Sequence, residues 1–255
     1  MSARQIRFFT LLRRELSRFF KIKRQTLGAP LLETFLYISV FGAALGTRID
    51  KLHGVDYVVF IIPGLIMMSW AMNAFSNNSS SILQQKFQRA IDDQLSSPAS
   101  PTELLLAFTF GGFVRGMVVA TLTFTAASVL VDIPVEHPLV LLPSLFLVGF
   151  FFAQLGVLVG VRAEQFDDVS FYQQFILQPL IFLGGVFYSA TLLPEPFETL
   201  TKFDPVYYMI GLVRYGFLGY AETSVALSLG LLTLAALVLF TVNYRLFSKG
   251  YRLRA

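Results

Sequence analysis

Two ionisable residues stand inside stretches of sequence that are otherwise apolar. Glu33 lies in the stretch 27–47 and Arg115 near the middle of 104–131. A charge at the centre of a bilayer costs about 2.5–3.5 kcal/mol on insertion scales, so such a side chain normally faces a partner, a cavity or the interface. Mutual pairing is the simplest arrangement for opposite signs. Snorkelling of Glu33 to the nearby interface is the second, and a transport role for Arg115 is the third.

The inventory offers little other chemistry. The two histidines, His53 and His137, are far apart, beside Gly54 and Pro138. There is no Gly-Lys dipeptide and so no phosphate-binding G-x-x-x-x-G-K-[ST] loop, and neither H-E-x-x-H nor G-x-S-x-G occurs. The absence of cysteine removes disulfides, thiolate catalysis and cysteine zinc sites. A hydrolase needs a base beside its nucleophile. Neither an enzyme, a cofactor nor a metal centre is expected, and no feature suggests nucleic acid.

The elements that position Glu33 and Arg115 follow from composition. Of 255 residues, 55 % are hydrophobic and only 14 % charged, against about 25 % charged in ordinary soluble proteins. That is too little charge to coat a water-facing surface, and 27 phenylalanines argue against disorder. The class that remains is an all-α integral membrane protein. About 20 mostly apolar residues cross the hydrocarbon core. Six stretches qualify, at 27–47, 57–77, 104–131, 139–161, 171–190 and 225–247. They are continuous rather than alternating, which excludes barrel strands. A single domain over 1–255 is the economical division.

Orientation follows from the basic residues. Fifteen of the twenty lysines and arginines fall on the side holding 1–26, the loop after the second stretch, Arg162 and the tail, while Arg48, Lys51, Lys202 and Arg214 fall on the other. Both termini are therefore expected in the cytoplasm, as an even number of spans also requires. Residues 1–26 do not read as a signal peptide, because basic residues run through them with no apolar core. Ile6, Phe9, Leu16 and Phe20 recur at helical spacing, with Arg7, Arg14, Arg18 and Lys21 on other faces. The pattern predicts an amphipathic helix in the membrane interface, its cations near anionic headgroups. It serves either as an anchor alone or also as a contact for a protein partner.

The loop after the second stretch is long. Asn77, Asn78, Ser79, Ser80 and Ser81 offer caps for a new helix. Leu83, Phe87, Ile91 and Leu95 then repeat every four residues, with Lys86, Arg89, Asp92 and Asp93 between them. Pro98 and Pro101 end that helix. Its apolar stripe is covered either by the chain's own helix ends or by a cytoplasmic partner. The segment 191–222 holds Pro194, Pro196 and Pro205 and an apolar run too short to span. It should dip in from the outer side and return, which is tolerated where protein or a wet cavity covers it. Glycines in the third, fourth and fifth stretches permit close helix contacts, within one chain or across a dimer seam.

These residues carry a resemblance. Glu33-Thr34-Phe35-Leu36-Tyr37, Phe60-Ile61-Ile62-Pro63-Gly64-Leu65, Asp92-Asp93-Gln94-Leu95-Ser96-Ser97-Pro98 and Arg115-Gly116 are similar to strings of the permease subunits of type 2 ABC exporters. Thr34 replaces a common proline there, and Gln94 stands where an apolar residue is usual. The fullest likeness is Pro179 to Tyr188 with Leu193-Pro194, Asp204-Pro205-Val206-Tyr207-Tyr208 and Arg214-Tyr215-Gly216-Phe217-Leu218-Gly219. Asp204 replaces a common asparagine. The resemblance implies a homodimer of six-span subunits in a bacterial inner membrane, surrounded by lipid and driven by a separate ATP-binding subunit. It implies coupling through Lys86, Phe87, Arg89, Ile91, Asp92, Asp93 and Leu95, and a pathway or dimer seam at Gly184, Gly185, Phe187 and Tyr188. The alternative class is a self-contained secondary transporter or channel with Glu33 and Arg115 as its relay.

Overall fold

A computed structural model of the chain describes residues 3–21, 28–45 and 51–253. Lys23, Arg24, Arg48 and Arg254 of the charge pattern lie outside the described residues. The elements are helices α1 (Ala3–Lys21), α2 (Ala29–Leu45), α3 (Tyr57–Phe87), α4 (Ala90–Ser96), α5 (Pro101–Leu130) and α6 (Pro138–Arg162). Then follow α7 (Phe166–Phe171), a π-helical stretch (Tyr172–Leu177), α8 (Gln178–Leu183), α9 (Phe197–Phe203), α10 (Pro205–Leu218) and α11 (Val225–Lys249). The described strands form one small hairpin, Lys51–Leu52 against Val55–Asp56.

Among the described residues four helices, α3, α5, α6 and α11, are long and apolar enough to cross a membrane. Helix α2 has 17 described residues. The fifth apolar stretch is not one α-helix from 171 to 190. It is the run α7, π stretch and α8, and it ends at Gly184.

Helix α3 organises the bundle, packing most heavily on α5 and α6. Its contacts are close because glycines face it. Trp70 lies between Gly116 of α5 and Gly149 of α6, where an added Cβ would fall 2.3 Å from an indole atom on either side. Gly156 and Gly160 likewise meet the α3 backbone at Phe75 and Ser79. These glycine stripes therefore serve packing within one chain.

The polar run 77–81 does not start a new helix. Helix α3 continues through it for 31 residues. Ser79 and Ser80 donate back to the carbonyls of Phe75 and Ser76, and Asn78 donates to the Ala153 carbonyl at 2.9 Å. Side chains bonded this way fit a helix interior. The break comes at Gln88–Arg89, where Arg89 takes a left-handed conformation with φ of 54°. The expected coupling helix is thus two pieces, the last turns of α3 and the short α4. Helix α5 starts as the prolines suggest, with Pro101 at its first position and a reciprocal capping box between Ser100 and Glu103.

Candidate functional site

Three polar regions lie along the bundle. The first joins α1 to α3 and α4. Glu15, only 2 % exposed, accepts from Ser81 Oγ at 2.6 Å and Gln85 Nε2 at 3.0 Å, and Arg14 lies 3.2 Å away. Gln85 is held in turn by Arg14 and by Gln94 of α4. Gln94 thus makes a link that an apolar residue in its place could not. Arg18 donates to the Asn77 carbonyl at 2.7 Å, and Arg7 reaches Glu103 at 3.4 Å. Three of the cations expected near lipid headgroups therefore bind residues of α3 and α5. Ile6 and Phe9 remain exposed beside them. Lys21 is the last residue of α1.

The neighbouring face carries the expected coupling residues, and they divide. Ile91 is 2 % exposed and packs with Ile82, Leu105, Phe108 and Val161, so the chain's own core covers it. Leu95 packs against the same cluster. Lys86 donates to the Val161 and Ala163 carbonyls at 3.0 and 2.7 Å, closing the end of α6. Phe87 is 58 % exposed and stacks on Phe166 with centroids 5.5 Å apart. Arg89 and Asp93 are exposed around it, and Asp92 is half-buried. In the adjacent turn the amides of Glu164 and Gln165 donate to Asp168, holding its carboxyl below the ordinary aspartate range.

The second region closes the opposite end. The α10 residue Arg214 is buried, donates to the Gly185 carbonyl at 2.7 Å, lies 3.7 Å from Glu222 and stacks 3.9 Å over the Phe60 ring. Glu222 also accepts from the Ala190 amide and the Tyr207 hydroxyl. His53 stacks on Tyr220 at 4.1 Å and bonds Ser189. His137 stacks on Tyr215 at 4.4 Å. Asp204 caps α10 by accepting from the Val206 amide at 2.8 Å. The segment 191–222 is therefore a pinned helical hairpin.

Gly184, Gly185 and Phe187 are buried behind it, and Tyr188, half-buried, donates to the Leu183 carbonyl. Phe187 stacks with Phe41 at 4.5 Å and Phe182 at 5.5 Å. Three of these four residues are thus buried within one chain, and Tyr188 keeps part of its surface exposed.

The third region is a cavity of about 420 Å³ among α2, α3, α5 and the π stretch. Glu33 and Tyr37 line it from α2, Ser69, Asn73 and Ser76 from α3, and Arg115 from α5. No salt bridge joins Glu33 and Arg115, so the expected pairing gives way to a shared cavity. Gln173, Gln174 and Gln178 complete the wall.

Sequence reasoning passed over Glu15, the three glutamines and the Arg214–Glu222 pair. Only the last left a signal, opposite charges eight residues apart on either side of a glycine turn.

A family model described as ABC-2 type transporter matches residues 6–218. The chain is 39 % identical over 243 residues to the Inner membrane transport permease YadH of Escherichia coli strain K12, covering 95 % of this chain and 94 % of that one. It is 28 % identical over 229 residues to Nodulation protein J of Rhizobium leguminosarum bv. viciae, covering 86 % and 85 %. A helical bundle of membrane-length helices, with the family's match running from α1 to the end of α10, makes this chain a member of the ABC-2 type transporter family, a transport permease.

Proposed function

We propose that the chain is the membrane subunit of an ATP-driven exporter, working as a homodimer with a separate ATP-binding subunit on its cytoplasmic face. In this reading α2 and the α7–α8 run complete six spans, and both termini are cytoplasmic in a bacterial inner membrane. The observation that carries it is the exposed Phe87–Phe166 stack at the end of α3, beside α4. Apolar anchors of this kind dominate protein interfaces, and charged rims such as Arg89 and Asp93 matter less. The chain has no phosphate-binding loop of its own, so the nucleotide site must come from a partner.

The dimer reading rests on a contrast between two faces. Helix α11 exposes Leu227, Leu231, Leu234, Leu237 and Val238, as a lipid-facing helix should. Helix α2 and the π stretch expose Leu32, Phe35 and Phe175, but Glu33, Gln174 and Gln178 are exposed among them. Polar groups of that kind are costly against hydrocarbon. A second copy covering this face would seat them against protein and the cavity.

The test is co-purification with a co-expressed P-loop ATPase of an ABC transporter, followed by its ATP turnover. Phe87→Ala should lose most of the bound ATPase while Lys86→Ala binds it less well only if the α6 end unravels. Full recovery of the complex from Phe87→Ala would sink the docking assignment. The second reading, a transporter without an ATPase, is favoured by Glu33 and Arg115 sharing one cavity. It requires transport by the purified chain alone in vesicles with an imposed ion gradient.

A further inference from the structure

The guanidinium of Arg115 has neither a salt bridge nor a hydrogen bond to protein among the described residues, and its Nε is buried. A cation at this depth without a partner is costly. The wall beside it is polar as well. Gln173, Gln174 and Gln178 line the same cavity, and none of their side-chain amides meets a protein partner among the described residues.

Their gathering depends on the π stretch. In an α-helix, residues five apart point roughly 140° away from one another. Here the Gln178 amide bonds the Gln173 carbonyl, an i to i+5 closure that stacks the two residues on one side. An α-helix would pair Gln174 with Gln178 on one face and leave Gln173 aside, and the π winding brings Gln173 round to join them. Single π turns within helices recur at functional sites for this reason.

A guanidinium, several amide donors and the hydroxyls of Ser69 and Ser76 form a donor-rich pocket suited to an oxyanion. The Glu33 carboxylate lines it too, and it favours a headgroup that also offers hydroxyl or ammonium donors. A volume of about 420 Å³ suits a headgroup and not a whole lipid. The acyl chains would lie outside it, along Leu32, Phe35 and Phe175, within the seam between the two copies.

We propose that this cavity binds the phosphate headgroup of an amphiphile, with Arg115 on the phosphate and Gln173, Gln174 and Gln178 around it. The proposal names a substrate class for the export path and rests on that reading of the chain.

The experiment measures binding of dioctanoyl phosphatidylglycerol to the purified full-length protein in neutral detergent, by calorimetry. Dioctanoylglycerol, which lacks the phosphate, and inorganic phosphate are the comparison probes. Phosphatidylglycerol should bind at least about tenfold more tightly than dioctanoylglycerol, since a lost hydrogen bond to a charged group is worth that much. Arg115→Gln should weaken it by a similar factor, and Arg115→Lys by less. Gln173→Leu with Gln178→Leu should weaken it several-fold, which keeps the test alive if the arginine variant does not fold. Arg252→Gln, at an exposed cation, should change nothing.

Equal binding of the two lipids, or unchanged binding in both the arginine and glutamine variants, overturns the proposal. Phosphate that binds as tightly as the lipid overturns the amphiphile and leaves a soluble anion site. Co-purification of the ATPase is measured on the unmutated protein in the same detergent. On the unmutated protein, failure to recover the ATPase beside intact lipid binding would count against the exporter reading and not against this site.

Discussion

Ser81 of α3 donates a hydrogen bond of 2.6 Å to Glu15 of α1, across 66 positions of sequence and in a site almost closed to solvent. Gln85 and Arg14 converge on the same carboxylate. Helix α1, which packs outside the core of long helices, is thereby bolted to α3.

Removing that carboxylate leaves several buried donors without an acceptor. Glu15→Ala should destabilise the detergent-solubilised protein by about 2–3 kcal/mol, read as a lower unfolding temperature. Amide exchange over 3–21 should rise in the same sample. Glu15→Gln, which keeps an acceptor, should do less. A protein equally stable with Ala at position 15 would show that α1 is held by its other contacts.

Trp70 tests the helix spacing. Gly149→Ala places a methyl group 2.3 Å from the indole nitrogen, and overpacking of this kind costs about 1–3 kcal/mol. Trp70→Phe removes the contacted atoms, so the double variant should recover part of the loss. Thermal unfolding of the two variants measures it, and a double variant no better than the single one would place the strain elsewhere.

The Arg214–Glu222 pair predicts an asymmetric loss. Arg214→Met should cost about 3–5 kcal/mol, because it strands a buried carboxylate. Adding Glu222→Leu should not restore stability fully. The Ala190 amide and the Tyr207 hydroxyl would then lose their acceptor. Full restoration would mean that those two bonds contribute nothing.

Asp204 carries its cap on one oxygen, while the other is buried without a partner. Asparagine keeps the capping oxygen and discards the buried charge. Asp204→Asn should therefore raise the unfolding temperature at pH 7, and Asp204→Ala should lower it by about 1 kcal/mol of cap stability. A lower unfolding temperature for the asparagine variant would show that the charge has a partner role.

The long helices were legible because continuous apolar runs need no finer interpretation. Their ends were harder to place. Asn77 to Ser81 have the chemistry of helix caps, and only the neighbouring α6 carbonyl and Glu15 show why they sit inside a helix instead. Phe87 and Ile91, four apart, fit one apolar face in the sequence. The left-handed Arg89 between them sends one to the surface and the other to the core. The three glutamines escaped notice because α-helical spacing pairs Gln174 with Gln178 but sets Gln173 well apart, and a π turn cannot be read from residue types. Glu15, among arginines on an amphipathic helix, looks like any solvated charge until its acceptor role is visible.

Considered mechanically, α3 is a strut. At about 1.5 Å per residue, its 31 residues run roughly 46 Å. One tip carries the exposed Phe87 and the hinge to α4. Near the other, Phe60 lies under Arg214, and the Tyr57 hydroxyl donates to the Phe187 carbonyl at 3.0 Å. A displacement at the first tip needs no relay of side chains to reach the hairpin that closes the second. It travels along hydrogen-bonded backbone as a tilt or a rotation, with Pro63, one turn past Phe60, as the place where the strut can flex.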